Sequence, residues 1–564
     1  MAASQLAAVS TKLDALKTKL TSVTAERDAL RRNYELLREQ HELLKRRVYL
    51  AKAERLDVAQ LEIEFAEQKE RLDAMAAALD LPAPPSPPPP PPPGEKKKRG
   101  TPSKGRRDLA KLDLPEERIE LLDAALATAP RITFETSYRY GWRRGGPIRI
   151  VVARAVYKLT PDAPADDAAP GETAPARLYT VPLAKELFAR PLCAPSMLAH
   201  LLYAKYGLGL PFYRLEKELT ACGAPLDRGS MSRMAEDAGA TLGALVVAMA
   251  EDARAHAFCL STDATGVAIQ PTRLLDKSDK SRRPCRKGHF FVVLADRDHI
   301  FFEYRAKHDS VAVCEMFRGY SGYIQADAHA IYDALYRGEA VEDGRPPPIE
   351  VACWAHARRK FWEAACARHA LGREGLYRLR RIFELDASWD DKPPDARRIM
   401  RQTKLRPFMD DFFAWAQQGH DAHKGQRGSV PSAFGYAVRQ RDALRRVLED
   451  GRLKLTNNHS ERALRPIAAG RKAWLFFGSD DHAAAAANLF SLIASCRLHS
   501  LDPELYLRDV LHVMPYWPRD RYLELAPKFW RDTRARLDPK QLVRDVGPLD
   551  VAPPPATPEQ TTAH

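Results

Sequence analysis

The 564-residue sequence has no cysteine before Cys193, no C-x-x-C pair and no apolar run of membrane-spanning length. Its most apolar stretch, Ala483 to Cys496, falls short of the roughly 20 residues that a spanning helix needs. The eight cysteines (Cys193, Cys222, Cys259, Cys285, Cys314, Cys353, Cys366, Cys496) are scattered, which excludes a compact disulfide framework and fits reduced thiols in a cytoplasmic protein. The N-terminus, MAASQLAAVSTKLDALKTKL, intersperses charges and lacks the uncharged core of a secretion signal, so neither export nor a membrane partner is expected. Acidic residues are the minority: 88 Lys and Arg against 74 Asp and Glu leave a net charge of +14. That balance favours a polyanionic partner, nucleic acid first.

The chain is longer than one hydrophobic core usually serves, so several domains are expected. From Leu6 to Val48 a seven-residue repeat places Leu6, Leu13, Leu20, Arg27, Tyr34, His41 and Val48 at one seam position. Val9, Leu16, Val23, Leu30, Leu37 and Leu44 occupy the other. Eleven of these thirteen are apolar, which predicts a coiled coil and hence a homo-oligomer, with Arg27 and His41 interrupting the seam. Ten of the twelve residues from Pro82 to Pro93 are proline, an extended spacer with no core of its own. Seven basic residues follow between Glu95 and Arg107, among them Lys96, Lys97, Lys98 and Arg99. Such a run either follows phosphates or only solubilises a linker.

Residues 131 to 158 alternate in the strand manner and break at Gly145-Gly146, predicting a β-hairpin whose Arg139, Arg143, Arg144 and Arg149 could touch DNA. Between Ala194 and His256 three helical patterns are separated by short breaks, as in a helix-turn-helix or a plain bundle. With Ser230 as N-cap of the third helix, Ser232 and Arg233 would lie in its first turn and face base edges. The tail from Val551 reads as disordered.

A different texture begins at Phe258. The runs AFCLSTDATGVAIQ, HFFVVLADRDHIFFEYRAKH and SGYIQADAHAIYDALY read as strands, and the third passes into a helix, as does IEVACWAHARRKFWEA. In a mixed sheet, Asp263 on the first strand and Asp327 at the end of a later parallel strand point to the same edge, where α/β sheets place their chemistry. In LKLTNNHSERALRPIAAGRKAWLFFGSD, Thr456 to His459 form a helix start and Glu461 follows beside Arg462 and Arg465. Three carboxylates supply hard oxygen ligands suited to two magnesium ions, with manganese as an alternative; alone, Glu461 would read as half of a surface ion pair, and the company of the two aspartates changes that. Asp296 and Asp298 compete as candidates but sit in a turn, and Asp333 lies on a helix surface.

The stretches LLYAKYGLGLPFYRLEKELTACGAPLDRGSMSRMAED, STDATGVAIQP, GYIQADAHAIYDAL, CWAHARRKFWEA and NNHSERALRPIAAGRKAWLFFGSD, with SLIASCRLHSLDPELYLRDVL, resemble the transposases of the insertion-sequence-66 family. These belong to the DDE group with a ribonuclease-H-like catalytic fold. The resemblance covers roughly residues 178 to 515 and implies that Asp263, Asp327 and Glu461 are the catalytic, metal-holding acids. The family's more usual DET reads DAT here, which leaves the Asp in place. Relatives carry a four-cysteine zinc-ribbon-like unit after the coiled coil. With no cysteine there, no zinc is expected, and the C-x-x-H pair Cys353 and His356 reads as structural.

The expected architecture is multidomain α+β. It comprises a coiled-coil helix over 1–80, a Pro-rich and basic linker over 81–107, a small β-containing unit over 108–177 and a helix-turn-helix region over 178–256. A ribonuclease-H-like mixed α/β core follows in two parts, 257–370 and 441–515, around a helical insertion at 371–440; a C-terminal extension spans 516–564. The expected partners are double-stranded DNA, held by Lys96, Lys97, Lys98, Arg99, Ser232, Arg233, Arg462 and Arg465, other copies of the chain, and accessory transposition proteins. The expected reaction is two-metal cleavage of element ends and transfer of the 3′-hydroxyl strands to target DNA. The rival readings are a nuclease of the same fold and an inactive DNA-binding relative.

Overall fold

The computed structural model describes residue 23 and residues 109–143, 145–159, 177–271, 284–341 and 344–551. The expected coiled coil (apart from Val23), the proline spacer, the basic run with Lys96, Lys97, Lys98 and Arg99, and Arg144 lie outside the described residues. The chain divides into two compact units. The smaller includes 358–380 and 419–434, where the Phe361 ring meets Phe434 edge-on at 5.6 Å between centroids. Glycine makes that packing possible: a Cβ on Gly375 would lie 2.2 Å from the Phe361 ring, and one on Gly419 2.3 Å from Phe434.

The larger unit holds two sheets. In the first, β1 (Glu116–Leu121), β2 (Arg131–Arg143) and β3 (Gly146–Leu159) lie in the order β1-β3-β2, with β4 (Arg177–Thr180) also on β3. The expected hairpin is β2 and β3, and its turn uses the positive φ of Gly145 (113°) and Gly146 (142°), which side chains rarely adopt. Its arginines, however, do not face outward as free cations. Arg139 is buried against Glu186; Arg143 holds Glu117 and the buried Asp545; Arg149 pairs with Glu116 and donates to the carbonyls of Ala110 and Leu112. Guanidinium groups with carboxylate partners are already neutralised, so the expectation that these three contact DNA is corrected.

Helices α1 (Pro195–Leu202), α2 (Phe212–Ala221) and α3 (Arg228–His256) fill the segment expected to be helical. The N-cap of α3 is Asp227, whose carboxylate accepts from Ser230 N–H at 2.9 Å, and not Ser230 itself. An ionised carboxylate suits the positive helix start, and the three-residue shift puts Ser232 and Arg233 in the second turn. Over its 29 residues α3 buries Met231, Ala235, Ala238, Leu242, Leu245, Val246, Met249 and Ala253 in one core with the second sheet.

That sheet runs β7-β6-β5-β8-β9, from β5 (Cys259–Ile269), β6 (Arg286–Ala295), β7 (His299–Arg305), β8 (Tyr323–Ala326) and β9 (Ile349–Ala352). Strands β5, β6 and β7 form an antiparallel meander, whereas β8 and β9 run parallel to β5. Asp296 is the turn former that its place in ADRDH predicts: it has φ 48° and accepts from the N–H groups of Phe258 and Cys259. Between the strands lie the short helices α4 (Ser310–Met316) and α5 (Asp333–Tyr336); Asp333 is exposed at the start of the latter.

After β9 come α6 (Trp354–Cys366), α7 (Ala370–Ala387), α8 (Pro394–Met400), α9 (Arg406–Ala422), α10 (Ser429–Arg439) and α11 (Arg441–Arg445), so residues 371–440 are helical as expected. Then follow α12 (Asn458–Trp474), α13 (Asp480–Leu498) and α14 (Pro503–Val513). Helix α13 seals the β7 edge: Ser495 and Ser491 hydroxyls accept from the N–H groups of Ile300 and Phe302 at 3.0 and 2.8 Å. An edge strand's outward amides are thereby satisfied inside the protein.

The same helix lies so close to α3 that a Cβ on Gly239 would sit 2.3 Å from the Ala485 carbonyl oxygen. Helix propensity alone would make Gly239→Ala stabilising by about 1 kcal/mol. Overpacking against backbone costs about 1–3 kcal/mol and opposes it. Gly239→Ala should therefore lower the urea midpoint, and a raised midpoint would show that the two helices can separate freely.

Candidate active site

The site starts from the alternation of β5. Thr262 is fully buried, so Asp263 projects to the opposite face of the strand, where it is half-buried. The parallel register pairs Ser261 with Gln325, and two residues further along both strands are Asp263 and Asp327. Asp327 immediately follows β8: its Oδ1 accepts from His329 N–H at 3.2 Å, and Ala328 turns the chain with φ 55°.

The third acid arrives from far along the chain. Helix α12 begins at Asn458, as the Thr456 to His459 pattern predicts, and Asn457 is its N-cap. The Asn457 side chain does not cap the helix; its Nδ2 donates to the Thr262 carbonyl at 2.6 Å. Its backbone N–H donates to Cys353 Sγ at 3.2 Å, and its carbonyl accepts from Ser460 and Glu461 N–H. Just upstream, Lys454 O accepts from Gln325 Nε2 at 2.7 Å and Leu455 O from Trp354 N–H at 2.9 Å. The entry to α12 is thus laced to β5, β8 and the start of α6, and Glu461 follows one turn later. Cys353 serves as a buried packing and acceptor group, and burial pushes its thiol pKa up.

A second layer steadies this entry. Arg401 is completely buried: its Nε and Nη2 hold both oxygens of Asp386 at 2.6 and 3.1 Å, and Nη1 donates to the carbonyls of Val447, Asp450 and Leu453. A fixed fork of five donors is what lets one side chain tie three carbonyls and a carboxylate together. Composition shows Arg401 only as one more basic residue on a helix, so sequence reasoning missed it.

The three acids sense one another. Burial pushes the Asp263 carboxyl up to about 7; the Ala264 N–H opposes this, and the charges of Asp327 and Glu461 add to it. Among the described residues no three His, Cys, Asp or Glu side chains are close enough together to hold one ion. The donor set nevertheless fits a hard divalent cation, because the Asp263 carboxyl, raised by burial and by two neighbouring negative charges, is relieved by positive charge beside it. A histidine row beside Asp327 was also missed. His289, His308 and His329 follow one another at 5.0 Å between ring centroids, and His308 stacks on Phe291. Burial lowers the pKa of His289 and His308, and their neighbouring imidazoles add to it.

Of the expected DNA contacts, Arg462 and Arg465 are exposed on the helix that carries Glu461. Ser232 and Arg233 sit instead on α3, where Arg233 donates to Ser230 Oγ at 3.0 Å.

The shift of Asp263 has a stability consequence of definite sign. Its folded pKa, about 7, lies above the ordinary 3.8, so the stabilisation it gives is full below pH 4 and is lost as pH rises to about 7. In metal-free buffer Asp263→Asn should therefore be more stable than the parent, with the gain growing by roughly 1–3 kcal/mol from pH 4 to pH 8 after allowance for partial exposure. Urea melts at both pH values check this, and a pH-independent difference would refute the cause assigned.

Comparison with known proteins gives two family matches. The family model described as "Transposase IS66 family" matches residues 190–485, and that of the "IS66 C-terminal element" matches residues 491–527. The uncharacterized protein y4hP of Sinorhizobium fredii is 29% identical over 376 residues, covering 61% of this chain and 64% of the relative. The uncharacterized protein y4qI of the same organism is 25% identical over 345 residues, covering 59% and 61%. The chain thus spans somewhat less than two thirds of these relatives' lengths. Because the first family model covers more than half of the 564 residues, including both β5 and the start of α12, the chain belongs to the IS66 family of transposases.

Proposed function

We propose that the protein cuts DNA at the ends of a bacterial insertion sequence and joins the freed 3′-hydroxyls to target DNA, with Asp263, Asp327 and Glu461 as the catalytic, metal-holding acids. The observation that carries this reading is the placement of Asp263 and Asp327 two residues beyond the paired Ser261 and Gln325 of adjacent parallel strands, with Glu461 on a helix whose start is bonded to β5; burial raises the Asp263 carboxyl and the charges of Asp327 and Glu461 add to it. The order β7-β6-β5-β8-β9, with an antiparallel meander and two added parallel strands, supports a ribonuclease-H-like core.

In the first step water attacks the phosphodiester and the 3′-oxygen leaves; in the second that 3′-hydroxyl attacks a target phosphodiester in line and the target strand's own 3′-oxygen leaves, taking up a proton. Two magnesium or manganese ions bound by the three acids would supply Lewis-acid stabilisation of the attacking and departing oxygens. The protein's own contribution is to hold the acids on rigid elements and to bring Arg462 and Arg465 to flanking phosphates. Ser232 and Arg233 on α3 are proposed to contribute to end recognition, and the run Lys96 to Arg99 to binding any backbone. The heptads over 1–80 are proposed to pair copies of the chain so that two ends are processed together.

Asp263→Asn, Asp327→Asn and Glu461→Gln should each reduce nicking and joining of labelled element ends by at least about 10³-fold while DNA binding stays within a few-fold; the scale follows the loss of a group stabilising the transition state. Calcium should support binding and little chemistry. Undiminished activity in any variant removes that residue from the site, and nicking without joining in the parent would favour the nuclease reading.

Neutralising Lys96, Lys97, Lys98 and Arg99 should weaken binding to all sequences alike. It should also flatten the logarithmic salt dependence by roughly 0.9 per lost phosphate contact. An unchanged slope assigns that run to solubility alone.

A further inference from the structure

Helix α12 carries a second feature at the end away from Glu461. Its outward face reads Glu461, Arg465, Ala468 and Lys472, spaced by three or four residues, while Ser460, Leu464, Ile467 and Gly470 are buried. Arg462, Arg465 and Lys472 are exposed and, among the described residues, none pairs with a carboxylate. That sets them apart from the neutralised arginines of the β2–β3 hairpin.

Where this basic face ends, Leu475 and Phe476 stand out in solvent, 65% and 43% exposed. The backbone that holds them there is unusual. Leu475 has φ 66° and ψ −51°, and Phe476 N–H donates back to the Trp474 carbonyl at 2.8 Å. This is a γ-turn of the rare, strained hand, at a residue with a branched side chain.

The turn is fixed from beneath. Phe477 exchanges hydrogen bonds with Ala268 and Gln270 at the end of β5, its ring lies 4.6 Å from that of Trp474, and Lys205 Nζ lies 5.8 Å from the Trp474 ring centroid. Two apolar side chains are therefore held rigidly in water at the end of a row of unpaired cations.

We infer that the Leu475–Phe476 turn is a wedge that enters the base stack of the DNA whose backbone follows the basic face of α12. This rests on the strand-transfer reading of the same helix and adds to it a place where the duplex is opened. The occupant is nucleic acid rather than protein because the approach to the tip is cationic and unpaired, and because Phe and Leu are residue types that pry base steps apart. The helix rise places the tip about 21 Å along the axis from Glu461. That is roughly six base steps from the scissile phosphate.

The test is competition binding of the full chain, in metal-free buffer, between a fully paired duplex and the same duplex with one central mismatch beside a 2-aminopurine. Unstacking is partly prepaid at a mismatch, so the parent should prefer that duplex on the order of tenfold and brighten the 2-aminopurine. Phe476→Ala should lose both effects while binding paired duplex nearly as the parent does, and Phe476→Trp should keep them. Arg465→Ala with Lys472→Ala should weaken binding to both duplexes alike.

The wedge is overturned if the parent binds both duplexes equally, or if Phe476→Ala keeps the preference with an unchanged melting midpoint. It is also overturned if Phe476→Ala alters only the sedimentation of the free protein, which would make the tip a protein contact. Failure of the parent to bind either duplex would instead sink the DNA-processing reading on which the wedge depends.

Discussion

One hydrogen bond organises the site: Asn457 Nδ2 to the carbonyl of Thr262, 2.6 Å long and buried. Residues 457 and 262 are separated by 195 positions. Closing so long a loop has an entropic cost that only buried, satisfied contacts offset. Because Asn457 also meets Cys353 through its backbone, the start of α12 cannot move along β5 without leaving a polar group unpaired in the interior. Glu461 inherits its place from that anchor. The buried Arg401, which bonds Asp386 and three carbonyls of the segment leading into α12, gives the stretch from Asp386 to Arg401 a definite structural duty, which is to hold the entry to α12.

The rest of the core is arranged so that the sheet bearing Asp263 and Asp327 is rigid. Serines of α13 close its β7 edge, glycines let α3 approach α13, and both helices share one hydrophobic core with the strands. Ser232 and Arg233 are therefore attached to a helix whose apolar face is buried in one core with the sheet bearing Asp263. Any DNA contact made there is registered directly to the carboxylates, without an intervening hinge within α3.

Charge is sorted in the same way. Arg139, Arg143 and Arg149 are consumed by carboxylates and carbonyls, whereas Arg462, Arg465 and Lys472 stand unpaired among the described residues on the helix that carries Glu461. A surplus of basic residues in the whole chain therefore says little about where a polyanion would lie. What matters is which cations the fold leaves without a partner.

Much of this was legible in sequence because it is local. The texture of the strands, the helix start at Thr456 to His459, the hairpin at Gly145-Gly146 and the turn at Asp296 each depend on neighbouring residues, and motif resemblance singled out Asp263, Asp327 and Glu461. The N-cap at Asp227 was three residues from where Ser230 suggested, since both residue types cap helices and only the fold chooses between them. The fate of the hairpin arginines, the anchor at Asn457, the buried fork of Arg401 and the histidine row were not legible, because each depends on groups tens to hundreds of positions away. The sequence by itself determined the kinds of element and the chemistry of the donor set. Only the tertiary structure decided which polar groups are used up inside the protein and which remain unpaired at its surface, because hydrogen-bond and charge partners are chosen by proximity in space, and the sequence does not state that proximity.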